Sequence, residues 1–225
     1  MKITFYGHAS LGISVGGYSI LVDPYISANP EAAHIDMNQL EADYILLTHA
    51  HGDHTLDVEA IASRTGAVIV SNAEIAGYYE AKGLKAHPMN HGGKWNFDFG
   101  QVKMVNAIHS SSFPDGTYGG NPAGFVIESE HKNIYIAGDT ALTYDMKLIP
   151  MRTKLDLAIL PIGDNFTMDV DDAIIAAQFV ECDKVLGYHY DTFGYIKIDH
   201  EQSIKRFFDK GIDLMLLQIG ESIEL

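Results

Sequence analysis

The chain has 225 residues, 47% of them hydrophobic and 20% charged, which is enough apolar material to bury a sizeable core. Its 15 Lys and Arg against 30 Asp and Glu leave a formal net charge of −15, which argues against non-specific binding to nucleic acid or to an anionic lipid surface. One cysteine, Cys182, excludes an intrachain disulfide framework, no apolar run reaches the ~20 residues of a membrane-spanning helix, and the opening lacks the apolar core of a signal peptide, so a cytoplasmic protein without a membrane partner is expected.

In chain order, Ile3–Phe5, Leu11–Val15 and Tyr18–Val22 read as strands, the last two joined as a hairpin by Gly16-Gly17. Tyr44–Leu47 is an apolar run short enough for a strand buried on both faces, and it leads straight into Thr48-His49-Ala50-His51-Gly52-Asp53-His54. Helical spacing follows over Asp57–Arg64, then a strand over Ala67–Val70 and a helix over Glu74–Lys82 that Gly83 stops. Strands are expected around Trp95–Phe97 and over Val102–Ile108, then a Gly/Pro-rich loop over Phe113–Gly124. Phe125–Glu128 and Asn133–Ala137 read as a second hairpin. After them come a buried strand over Leu155–Leu160, a helix over Val170–Val180, a strand over Lys184–Tyr188, a helix over Glu201–Lys210 and a closing strand over Leu214–Ile219. Cys182 is placed inside an apolar helix. No linker or low-complexity tract divides the chain, so a single domain over residues 1–225 is expected. Hairpins near the start of each half, followed by strand–helix alternation, fit an α/β protein of two mixed sheets with helices outside.

The informative segment is His49-Ala50-His51-Gly52-Asp53-His54. In extended chain, residues i and i+2 point to the same side, so His49 and His51 can grip one cation, and Gly52 permits the turn that aims Asp53 and His54 at a second point nearby. Four N/O donors within six residues at the end of a buried strand are too many for core filler. Three further candidates, His109, Asp139 and His189, each sit just past an apolar strand, where α/β sheets gather their sites.

On these residues the chain resembles the metallo-β-lactamase superfamily of hydrolases, whose pattern is HxHxDH followed by distant His, Asp and His; all positions match in order along the whole chain. The resemblance implies an αββα sandwich with metals in a cleft at the sheet edges, one metal on His49, His51 and His109, the other on Asp53, His54 and His189, and Asp139 bridging. Tyr6-Gly7-His8-Ala9-Ser10, His109-Ser110-Ser111-Ser112 and Gly119-Gly120-Asn121-Pro122 look like the branch holding ascorbate-6-phosphate lactonases, N-acyl phosphatidylethanolamine phospholipase D-like proteins and metal-dependent hydrolases of this size. No cysteine stands where zinc β-lactamases use one as a ligand, and His51 stands where di-iron flavoproteins carry a glutamate, which argues against both activities. A homo-oligomer is in keeping with the resemblance.

The function so implied is hydrolysis of an ester-type bond, a lactone, phosphodiester or thioester, in a small anionic molecule. Two divalent cations, Zn²⁺ first and Mn²⁺, Fe²⁺ or Ni²⁺ as alternatives, would share a water and lower its pKa toward about 7 to give the attacking hydroxide. Their charge outweighs that of Asp53, Asp139 and one hydroxide, leaving a locally positive cleft in an acidic protein. Asp53 would orient the nucleophile or take its proton. Asp23, before Pro24, matches an early aspartate that supports the HxHxDH loop from behind. His8 is the second catalytic candidate: it either faces the cleft and protonates the leaving group or lies buried and hydrogen-bonded. Gly116–Gly120 reads as a turn-rich connection rather than an oxyanion hole, His87, His91, His131 and His200 as non-ligands, and His34 as a loop residue on the surface rather than at the substrate entrance. The alternatives are a mononuclear iron oxygenase, which needs only the His49, His51 and His109 site, and a non-catalytic scaffold, which the intact motif argues against.

Overall fold

The structure is a computed structural model and describes residues 1–225. The first half contributes β1 (Lys2–Gly7), β2 (Ser10–Val15), β3 (Tyr18–Val22), β4 (Tyr44–Leu46), β5 (Val68–Asn72) and β6 (Ala86–Met89). The second contributes β7 (Lys94–Phe97), β8 (Gly100–Asn106), β9 (Ala123–Ser129), β10 (Lys132–Ile136), β11 (Leu157–Pro161), β12 (Lys184–Tyr188) and β13 (Asp213–Met215). A last strand, β14 (Ser222–Glu224), crosses back to pair with β1. The result is two 7-stranded sheets, ordered β14-β1-β2-β3-β4-β5-β6 and β13-β12-β11-β10-β9-β8-β7. Each half opens with antiparallel hairpins and ends with parallel strands, so the element order read from the sequence is repeated in space.

Period-two alternation decides the layers. Ile3 and Phe5 of β1, Val102 and Met104 of β8, Ile134 and Ile136 of β10, and Leu157 and Ile159 of β11 share one core between the sheets. The alternate residues of the second sheet, Val126, Tyr135, Ala158 and Leu160, face outward into a different core. That outer core is completed by α4 (Val170–Phe179) and α5 (His200–Phe208), while α2 (Val58–Thr65) and α3 (Ala73–Glu80) cover the first sheet through Ile61, Ala62, Ile75 and Tyr79; the remaining helix, α1 (Gly52–Thr55), is a single turn. Four layers follow, helix–sheet–sheet–helix, as the resemblance implied. Asn72, Asp169 and Asp199 cap α3, α4 and α5 by accepting from backbone N–H groups in their first turns. No helix is long and apolar enough to cross a membrane.

Three assignments change. Cys182 lies beyond the end of α4, buried in the turn before β12, with its Sγ 3.2 Å from the Lys184 carbonyl. The expected closing strand over Leu214–Ile219 stops at Met215, because the chain must leave the second sheet to deliver β14 to the first. The strand expected to run to Ile108 ends at Asn106, and Ile108 is exposed.

Candidate metal centre

The site lies where β3, β4, β8, β10 and β12 end, and each end delivers one of Asp23, His49, His109, Asp139 and His189 shortly after its last residue. Asp23 is fully buried and organises the HxHxDH segment from beneath. Its Oδ1 accepts from the Thr48 N–H (2.8 Å), and its Oδ2 accepts from Thr48 Oγ1 (2.6 Å) and His54 Nδ1 (2.9 Å). Thr48 Oγ1 spends its proton on Asp23, so it accepts from His49 Nδ1, 2.9 Å away. Both imidazoles are thereby anchored through a protonated Nδ1, so that Nε2 is the nitrogen each can offer a cation; this is the arrangement metal-binding histidines take when their other nitrogen is anchored.

The free nitrogens converge. His49 Nε2 lies 3.0 Å from His51 Nδ1, and one ring nitrogen from each of His49, His51 and His109 falls within 4.8 Å of the others. Asp53, His54 and His189, joined by His8, form a second group on the same criterion. Between the groups stands Asp139, whose Oδ2 lies 3.0 Å from His189 Nε2, 3.4 Å from His54 Nε2, 3.6 Å from His109 Nε2 and 3.9 Å from His49 Nε2. All seven residues named from the sequence are thus brought to one place. His54 Nε2 and Asp139 Oδ1 are buried without any hydrogen-bond partner, a costly state for polar atoms unless a cation completes them. The residues present therefore fit divalent metal.

The charges of His49 and Asp139 agree with that reading, while His54, which burial would lower but Asp139 and Asp23 lift well above the usual imidazole range, must give up a proton for a cation to take its place. Burial holds His49 well below the usual imidazole range, so it stays neutral and able to donate a lone pair. Burial alone would raise the Asp139 carboxyl, but the flanking His189 and His54 overcome it and keep the group ionised. Backbone strain is concentrated here too: His8, Asp23 and His189 have φ of 55°, 43° and 57°, a region that side chains other than glycine enter at a cost of order 1–3 kcal/mol. Gly138, at φ 68°, precedes Asp139, and a Cβ there would sit 2.6 Å from the Ala123 carbonyl oxygen, so only glycine fits.

His8 takes the second of its two expected placements. It is buried, its Nε2 lies 3.1 Å from Asp53 Oδ2 and its Nδ1 3.1 Å from Thr192 Oγ1, and its ring packs 4.2 Å from that of His189. Burial, reinforced by His189, pushes it down to about 4 against the pull of Asp53. Its carbonyl accepts from the His189 N–H (2.8 Å), a bond that ties the two sheets together beneath the site. The Gly116–Gly120 loop stands outside the cleft and braces the motif instead: Ser111 Oγ accepts from the Ala50 N–H and donates to the Gly119 carbonyl. His34, His91 and His200 are spent on the Ile219 carbonyl, the Pro122 carbonyl and Asp191, His87 packs between Trp95 and Phe97, and His131 lies in the turn between β9 and β10.

Above the donors opens a cleft of about 730 Å³, whose far side is formed by Phe166, Thr192, Phe193 and Tyr195, with Ser110 beside His51. Ser110 falls in the stretch His109-Ser110-Ser111-Ser112 quoted above, but none of the four far-side residues was singled out from the sequence. They stand on loops far apart in the chain, and an isolated loop aromatic carries no spacing signal.

The sequence model described as "Beta-lactamase superfamily domain" matches residues 18–190. The chain is 80% identical, over all of both chains, to a UPF0173 metal-dependent hydrolase of Flavobacterium johnsoniae. It is 47% identical to one of Thermus thermophilus, over 100% of this chain and 99% of that one. Among solved structures it is similar to Igni18, a metallo hydrolase of Ignicoccus hospitalis, with a TM-score of 0.90 and 31% identity, covering 99% of this chain and 97% of the other.

Proposed function

The chain belongs to the metallo-β-lactamase superfamily and is a metal-dependent hydrolase; from that premise we propose that it uses two divalent cations, zinc first among them, to cleave an ester-type bond in a small anionic molecule. His49, His51 and His109 would hold one cation, Asp53, His54 and His189 the other, with Asp139 shared. The observation that carries this reading is the position of Asp139 Oδ2 within 3.0–3.9 Å of four imidazole Nε2 atoms drawn from both donor groups. An all-imidazole-and-carboxylate set suits zinc and other first-row divalent ions. Bound there, the pair would acidify a shared water and polarise the carbonyl or phosphoryl oxygen under attack.

The protein's own part is positional. His8 fixes Asp53 Oδ2, leaving Oδ1 to take the proton of the attacking water. Asp23 and Thr48 set the tautomers of His54 and His49 before any substrate arrives. His8, with both ring nitrogens engaged, acts as a positioning residue for Asp53. The single buried cysteine accords with a cytoplasmic setting. The test is a screen of lactones, phosphodiesters and thioesters against zinc-loaded protein: turnover of one class with two metals per chain supports the proposal, and one iron with O₂ consumption contradicts it.

A further inference from the structure

The cleft has two unlike walls. One is the donor set; the other is aromatic, and none of its 11 lining residues is a lysine or arginine. Phe166 is carried by a tight turn in which Asp164 and Asn165 both adopt left-handed backbone (φ 63° and 55°), closed by the Asp164 N–H donating to the Met168 carbonyl at 3.0 Å. Phe193 and Tyr195 ride on a loop pinned by Asp191. Its N–H donates to the Ile196 carbonyl (2.8 Å), its Oδ1 accepts from the Ile198 N–H (3.0 Å), and its Oδ2 lies 2.6 Å from His200 Nε2.

Phe193 has a structural place, packed 5.2 Å from the His8 ring. Phe166 and Tyr195 have none: they are 50% and 78% exposed, and the only aromatic ring each meets is the other, edge to face at 6.3 Å. Two large rings held out over a cleft by pinned loops leave apolar surface in water that a bound molecule would cover. A remote phosphate or carboxylate, by contrast, would find no cation on this wall to pair with.

We propose that Phe166, Phe193 and Tyr195 form a subsite for an aromatic or alkyl arm, so that the substrate is an apolar-armed ester-type molecule with no charged group remote from the bond that is cleaved. This rests on the function proposed above and narrows it, setting aside sugar phosphates. The test is calorimetric titration of protein loaded with two equivalents of zinc, using 4-phenylbutyrate and acetate as probes that share the carboxylate and differ in the arm. The wild type should bind 4-phenylbutyrate at least about tenfold more tightly than acetate, and the Phe166→Ala/Tyr195→Ala variant should cut that ratio below about threefold. A wild-type ratio near one, or a ratio the variant leaves intact, overturns the subsite. Failure of the protein to take up zinc overturns the proposed function and the subsite with it, so the two failures are told apart.

Discussion

Asp23 Oδ2 lies 2.9 Å from His54 Nδ1, on the side of the ring opposite the nitrogen that approaches Asp139. One buried carboxylate thus orients the central imidazole of the site and, through Thr48, the first histidine of the motif. Replacing it with asparagine retains the shape and tolerates the positive φ, but removes the charge and turns one oxygen into a donor. Asp23→Asn should lower zinc affinity about 10- to 100-fold, read by competition with a chromogenic chelator. Unchanged affinity would show that Asp23 is only a structural cap.

His8 sits at the same remove on the other side, holding Asp53 by one nitrogen and Thr192 by the other. Asparagine accepts its left-handed backbone, so His8→Asn isolates the side chain. The variant should keep its full metal content and melting temperature while kcat falls about 10- to 100-fold, with KM little changed. Loss of metal in step with activity would instead make His8 part of the metal-holding set, which its place beside Asp53, His54 and His189 permits.

Gly163 marks how closely the second sheet's loops are fitted. A Cβ there would lie 2.1 Å from the His189 carbonyl oxygen and 3.0 Å from Ile196 Cβ, both immovable without shifting the loop that carries Phe193 and Tyr195. Gly163→Ala should cost about 1–3 kcal/mol in denaturant unfolding and weaken zinc binding at the same time. A stable variant with native metal affinity would mean that the loop moves independently of His189.

Metal and fold should be linked. With no cation, His54 Nε2 and Asp139 Oδ1 stay buried and unpaired, so stripping the protein with EDTA should lower its melting temperature. With free zinc at 100 times its Kd the difference is about 2.7 kcal/mol, or about 5–10 °C for a chain of this size, recovered on adding zinc back in a scanning calorimeter. Identical transitions with and without zinc would argue that the site is not filled by it.

What could be read in advance divides by range. His49-Ala50-His51-Gly52-Asp53-His54 declares itself because its donors are contiguous and a strand's period of two explains their aim. The inner strands were legible as apolar runs, since Ile134–Ile136 and Leu157–Leu160 are buried on both faces. β6 was not: Ala86-His87-Pro88-Met89 carries neither alternation nor an apolar run, and only its parallel pairing with β5 makes it a strand. β14 is equally silent, because Ser222-Ile223-Glu224 gains its conformation from Thr4, Ile3 and Lys2 at the far end of the chain. The aromatic wall of the cleft depends on two loops meeting, a relation that no local pattern encodes.

The central claim is that one shared carboxylate joins two metal positions, and the metal content of protein purified without added metal tests it most directly. Inductively coupled plasma mass spectrometry should find two equivalents of divalent metal per chain in the wild type and a clear loss in Asp139→Asn. One equivalent of iron in the wild type, with Asp139→Asn retaining it in full, would contradict the account.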